Sequence, residues 1–162
     1  MLIREATIED WPAVWPFLQR IVAAGETFTY DTDTPEPEAR SLWMVPAPGR
    51  VTVAVDDEGT VLGSAKMYRN QGGNGAHVAS ASYMVDPKAS GRGVGRGLVE
   101  ESLAWAREAG FRAMQYNAVV ETNVHAVKLY LALGFTVVGT VPEAFHHPTE
   151  GYTGLHVMRA AL

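Results

Sequence analysis

The sequence predicts a single domain of layered α/β (α+β) class, and three observations carry that expectation. Segments with the two-residue alternation of strands and segments with the spacing of amphipathic helices follow one another along the chain. The 162 residues are 47% apolar and 19% charged, enough for a core that needs neither disulfide nor structural metal. No repeat, low-complexity tract or long linker divides the chain.

The elements follow in order. Leu2 to Thr7 reads as a strand, and Thr7-x-x-Asp10 offers a capping box before the helical spacing of Trp11, Val14, Trp15, Leu18, Ile21 and Val22. Pro12 suits a first turn, whereas Pro16 is expected to kink the helix. Gly25 to Asp31 reads as an ordered loop carrying Phe28 and Tyr30, and Thr34-Pro35-Glu36 opens a short helix to about Met44. Val51–Asp56 and Thr60–Arg69 are strands turned by Asp57-Glu58-Gly59. Gln71 to Gly75 is a loose connection before a strand from His77 to Asp86. A glycine-rich turn then leads into a helix from about Val94 to Ala109, buried along Val94, Leu98, Leu103, Ala106 and Ala109. Arg112–Val120 is a strand, Asn123–Leu133 a helix stopped by Gly134, and Phe135–Val141 a strand. Glu143–Gly151 reads as a turn-rich loop and Tyr152–Arg159 as the closing strand. The four tryptophans fall on helical faces, as core residues do.

Composition narrows the chemistry. Without cysteine there is no disulfide framework, thiolate-held metal or cysteine nucleophile. No apolar run reaches membrane-spanning length and the first residues lack a signal-peptide layout, so the expected setting is cytoplasmic. A net charge of −5 with scattered Lys and Arg argues against a nucleic-acid surface. His146-His147 lacks a third ligand at metal spacing and precedes Pro148, which favours a turn; no metal is expected.

The most informative segment is Val85-Asp86-Pro87-Lys88-Ala89-Ser90-Gly91-Arg92-Gly93-Val94-Gly95-Arg96-Gly97-Leu98. A strand runs into alternating glycines and then a helix, so backbone N–H groups and the positive helix end converge on an anion, with Arg92 and Arg96 beside them. It is not a Walker A loop, which needs Gly-Lys-Ser/Thr, nor a Rossmann fingerprint, which belongs at the first strand.

Ser90-Gly91-Arg92-Gly93-Val94-Gly95 resembles the Gln/Arg-x-x-Gly-x-Gly/Ala pyrophosphate loop of the GNAT superfamily of acyl-CoA-dependent N-acetyltransferases, departing at Ser90. A frame two residues later, Arg92 to Gly97, also satisfies the pattern. Asn123-x-x-Ala126-x-x-Leu129-Tyr130-x-x-x-Gly134-Phe135 is similar to that family's cofactor-facing helix and following strand. Seven residues is nearly two turns, so Asn123 and Tyr130 share a face with a rise of about 10 Å between them. The resemblance covers nearly the whole chain. Within the family, the Thr29–Trp43 region looks like phosphinothricin-type acetyltransferases, and His77–Val85 with Tyr116–Asn123 like the azetidine-2-carboxylate enzyme.

The resemblance implies a mixed, mostly antiparallel sheet of six to seven strands flanked by about four helices, with acetyl-CoA as cofactor. It nominates Gly91, Arg92, Gly93, Val94, Gly95, Arg96, Gly97 and Asn123 for cofactor binding, together with a backbone N–H at a strand bulge around Tyr83, Met84 and Val85. Tyr130 is implied as the acid that protonates the departing thiolate, and Asn117 as the group that orients the acceptor. Ser80 stands where phosphinothricin-type enzymes carry a glutamate base, and a serine can at most position a water. Glu26, Phe28 and Tyr30 are nominated for the acceptor pocket; His77 is a further candidate, although strand alternation sets it on the opposite face from Ser80. The implied activity is acetylation of a small-molecule amine, an amino acid or its analogue, in a protein able to form a homodimer. Two alternatives stay open: a catalytically silent acyl-CoA sensor, motivated by Ser80, and an acetyltransferase acting on protein N-termini or lysines.

Overall fold

The computed structural model describes residues 1–162 as one seven-stranded sheet with helices on both faces. Strand β1 (Leu2–Glu5) precedes helices α1 (Trp11–Ala24) and α2 (Glu36–Trp43), and β2 (Arg50–Val55), β3 (Val61–Arg69) and β4 (Val78–Val85) follow. Helix α3 (Val94–Glu108), β5 (Ala113–Val120), α4 (Val124–Ala132), β6 (Thr136–His147) and β7 (Gly151–Ala161) complete the chain. The sheet order is β1-β2-β3-β4-β5-β7-β6, antiparallel except between β4 and β5. No helix is long and apolar enough to cross a membrane.

Local chemistry explains most boundaries. Asp10 accepts the Thr7 N–H at 2.8 Å and a two-pronged contact from Arg4 at 2.7 and 2.9 Å, which closes the expected capping box. That box caps a single 3₁₀ turn over Ile8–Asp10 that feeds directly into α1. Pro16 lies in an unbroken α1, and Gly25 ends the helix at φ 66°. Gly59, at φ 83°, supplies the turn between β2 and β3.

Two apolar layers sandwich the sheet. Trp11, Val14, Phe17, Leu18 and Val22 of α1 and Trp43 of α2 pack on Val51, Val53, Val55, Val61 and Met84. On the other face, Leu98, Val99, Leu103 and Ala106 of α3 cover Leu62, Ala65, Met67, Ala79 and Ala81, while α4 closes over Tyr116 and Phe135. Met84 belongs to the first layer and Ala79 and Ala81 to the second, so even-numbered residues of β4 face α1 and α2 and odd-numbered ones face α3.

One expectation fails at the end of the chain. Residues 143–147, read as loop, extend β6 to His147. Glu143 adopts φ 53° and the β6–β7 register shifts between Val141 and Phe145, so a bulge absorbs Pro142 and buries the Phe145 ring. The turn is confined to Pro148–Glu150, where His147 Nδ1 accepts the N–H groups of Thr149 and Glu150, each at 3.2 Å. His146 stacks on Tyr152 at 4.4 Å.

Candidate active site

The parallel pair β4–β5 holds register only at Val78↔Ala113 and Ala79↔Met114, after which the strands diverge. Asn70 N–H bonds Val78 O and Asp86 N–H bonds Leu62 O, both at 2.8 Å, so even-numbered β4 residues spend their main-chain groups on β3. The N–H groups of Ala81, Tyr83 and Val85 consequently point into the gap between β4 and β5. The expected bulge in β4 is absent: its register with β3 is continuous from Arg69↔Ala79 to Gly63↔Val85. The irregularity lies in β5, between Tyr116 and Val119. Met84 is turned away altogether, with its side chain in the α1 layer and its carbonyl 2.8 Å from the Cβ position of Gly63.

The glycine loop ends at the mouth of this gap. Gly91 and Gly93 sit at φ 78° and 77°, and no atom lies within 4 Å of a Cβ at either, so they are glycines for backbone conformation. Gly93 is the N-cap of α3 and accepts the Gly97 N–H at 3.1 Å, which leaves the N–H groups of Val94, Gly95 and Arg96 without a helical acceptor. A Cβ on Gly95 would stand 3.6 Å from Leu129 and 3.7 Å from Val85, between α4 and the end of β4. These positions favour the frame beginning at Ser90. Gly97 is a packing residue instead: its N–H is spent, and a Cβ there would stand 3.1 Å from Ile3 and Met1. Arg92 and Arg96 are exposed at the loop, with Arg96 pairing Glu100 at 3.2 Å.

Four aromatic rings fill the base of the gap on the α3 side. Tyr116 stacks on Phe135 at 4.4 Å and lies 4.7 Å from Tyr130, which is 6.2 Å from Tyr83. The Tyr83 hydroxyl joins Ser102 at 2.5 Å and Tyr116 at 2.6 Å, so its side chain is committed to this network. Burial raises all three phenols well above their ordinary range. The Tyr130 hydroxyl alone among them has no hydrogen-bond partner in the protein. Asn123 caps α4 by accepting the Ala126 N–H at 3.4 Å, leaving its amide donors free.

The opposite face of the gap collects polar groups from three strands. Ser80 is 2% exposed and pairs across with Tyr68, while Ser82 pairs with Lys66. Asn117 on β5 donates to Asn70 at 2.6 Å and accepts from Asn70 at 3.3 Å and Gln115 at 3.0 Å, an amide bridge spanning β4. Lys66 is 8% exposed; its Nζ donates to Tyr30 Oη and Leu42 O, both at 2.8 Å, with the rings of Tyr30, Trp43 and Tyr68 at 5.4 to 5.6 Å. Phe28 packs 5.6 Å from Tyr30 and 6.3 Å from Trp43, which anchors the α1–α2 loop. Lys66, Tyr68 and Asn70 were not singled out by sequence, although Ser64, Lys66, Tyr68 and Asn70 already alternate with Gly63, Ala65 and Met67.

Two expected acceptor-site residues stand apart. His77 is exposed at the opposite end of β4, about 25 Å along the strand from the glycine loop. It lines a separate cavity of about 410 Å³ with Phe111, Arg112, Arg159 and Leu162. Glu26 is an exposed loop residue with no side-chain partner.

Burial lowers Lys66 from 10.5 to about 8. Below pH 8 it is protonated in both folded and unfolded chains, and the fold bears the desolvation cost. Between about pH 8 and 10.5 the folded chain has lost a proton that the unfolded chain retains, so stability rises with pH by on the order of 2–3 kcal/mol. Urea midpoints across that window should show the rise in the natural chain and its absence in Lys66→Met.

Residues 6–135 match the sequence model of the Acetyltransferase (GNAT) family. The chain belongs to this family. It is 25% identical over 156 residues to N-acetyltransferase aca1 of Schizosaccharomyces pombe, covering 87% of this chain and 75% of that one. A GCN5-related N-acetyltransferase from Kribbella flavida has the same fold with TM-score 0.97 and 61% identity, covering 99% of this chain and 97% of the other. The structure of yncA from Salmonella typhimurium, solved with its cofactor acetyl-CoA, superposes with TM-score 0.83 at 25% identity over 100% of this chain and 94% of that one. The protein is an acetyl-CoA-dependent N-acetyltransferase.

The residues present fit that cofactor. The unstrained left-handed glycines and unpaired N–H groups at the start of α3 suit a pyrophosphate, and the β4 N–H groups in the gap suit an amide-bearing arm. When bound, acetyl-CoA supplies the acetyl group as a thioester.

Proposed function

We propose that this acetyltransferase acetylates the amino group of a small molecule, an amino acid or amino-acid analogue. One observation carries the reading: the sheet face that carries Ser80 is crossed by the Asn70–Asn117 amide bridge, which spans β4, and by the Lys66–Tyr30 contact, so side chains interrupt it along the strands. An extended peptide needs an open groove across these strands.

Within this reading the chain's groups divide the work. Gly91, Gly93, Val94, Gly95 and Arg96 hold the pyrophosphate, with Arg92 adding charge and Asn123 holding the arm through its free amide donors. The N–H groups of Tyr83 and Val85 polarise the carbonyl. Tyr130 gives its proton to the departing sulfur. Asn117 retains one unspent amide N–H to orient the acceptor, and Ser80, unable to act as a base, positions the water that takes the amine proton. The exposed valines of edge strand β6 support pairing with a second copy, with Val138 64% exposed. The cysteine-free composition supports a cytoplasmic setting.

Thiol release from acetyl-CoA tests the reading, scanned over amino acids, cyclic imino acids, polyamines, aminoglycosides and peptides. Turnover confined to amino acids or imino acids is the expected result. Preference for peptides would replace the small-molecule reading, and tight acetyl-CoA binding without turnover on any amine would make the chain a sensor.

A further inference from the structure

Lys66 is a buried ammonium with no carboxylate within ion-pairing distance. The chain's 18 acidic side chains provide Arg4, Arg20, Arg50 and Arg96 with partners, yet none reaches Lys66. Two of its three N–H donors go to Tyr30 Oη and Leu42 O, and the third has no partner in the protein. Because the Tyr30 oxygen accepts from Lys66, its own O–H remains to be given, and it has no acceptor. Burial also pushes the Tyr30 phenol up to about 12, so that proton stays in place at neutral pH.

The two unspent donors belong to side chains on the sheet face that carries Ser80. Lys66 is directly across from Ser82, which places its Cβ about 7–8 Å from that of Ser80 on the same face. Tyr68, whose ring borders the Lys66 ammonium, is directly across from Ser80. A carboxylate presents two oxygens to two donors, supplies the missing counter-charge, and leaves an α-nitrogen a few ångströms further along, toward Ser80 and the strand gap.

We propose that Lys66 and Tyr30 clamp the acceptor's carboxylate, making the preferred substrates free α-amino or α-imino acids rather than simple amines. The inference rests on the small-molecule reading above and narrows it. The aromatic rings of Tyr30, Trp43 and Tyr68 hold the ammonium in place without neutralising it, so the charge still lacks a counter-ion.

The test compares free acids with their carboxamides and decarboxylated amines, using the natural chain, Lys66→Met and Tyr30→Phe. In the natural chain kcat/KM for the best acid should exceed that of its amide about 30-fold, the scale of a charge-assisted hydrogen bond. Lys66→Met should reduce that ratio below threefold, chiefly through a higher KM for the acid, and Tyr30→Phe should reduce it severalfold. Thermal stabilisation by acetyl-CoA reports whether each variant folds; if Lys66→Met does not, Tyr30→Phe with an undiminished ratio overturns the clamp.

Calorimetric titration of the same acids and amides against the protein loaded with coenzyme A needs no turnover. It separates the two readings: a missing reaction with acids still bound in preference to amides defeats acetyl transfer but supports the clamp. Equal binding of acid and amide, no binding of either, or a preference for peptides overturns the clamp.

Discussion

Tyr130→Phe is expected to lower kcat about 100-fold at saturating acetyl-CoA and acceptor, with affinity for acetyl-CoA unchanged. The ring at this position packs among Tyr116, Tyr83 and Phe135, and phenylalanine preserves those contacts. Only the hydroxyl is lost, and it holds no partner within the protein. Burial keeps that phenol protonated throughout the neutral range, so it is always available as a donor. The same rise weakens it as an acid toward a thiolate whose own acid lies near 8.5, which sets the effect near the low end of acid–base contributions. Thiol-release kinetics measure kcat, and calorimetry measures cofactor binding. A loss below threefold would remove Tyr130 from the proposed acid role and leave it a packing residue.

Gly93→Val is expected to weaken acetyl-CoA binding about 10- to 30-fold while kcat at saturating cofactor stays within twofold. A Cβ at this position meets nothing within 4 Å beyond its chain neighbours, so packing is not the main cost. The cost is conformational: an L-residue at φ 77° pays about 1–2 kcal/mol, and branching at Cβ adds to it. Relief of that strain re-aims the N–H groups of Val94 and Gly95, on which the proposed pyrophosphate contacts depend. Gly97→Ala is the contrasting substitution. Its Cβ meets only the flexible ends of Ile3 and Met1 at 3.1 Å, so a small change in melting temperature should accompany unchanged cofactor affinity. Equal affinity losses at both positions would contradict the assignment of Gly93 to the loop and Gly97 to packing.

Both substitutions fall in segments that were legible as sequence, and the reason is local. The alternating glycines, the capping asparagine and the seven-residue spacing from Asn123 to Tyr130 act through backbone conformations and helix periodicity within a few residues. The β6 extension was not legible, because Pro142 and His146-His147-Pro148 carry turn chemistry. Pairing with β7 and burial of Phe145 outweigh that preference once the hairpin forms.

The acceptor face shows the same division. Ser80 and Asn117 could be nominated by resemblance, but Lys66, Tyr68 and Asn70 lie in a strand whose alternation alone does not say which face meets α2. That question is answered by Trp43, whose indole donates to Ser64 at 2.9 Å and brings the α1–α2 loop over Lys66. Chain order, element type and the anion-binding turn follow from interactions between near neighbours, and those are written in the sequence. The strand gap, the Asn70–Asn117 amide bridge and the Tyr30–Lys66 contact depend on groups tens of residues apart. They exist only when both sheet faces are covered, because packing and not propensity selects which side of each strand is inside.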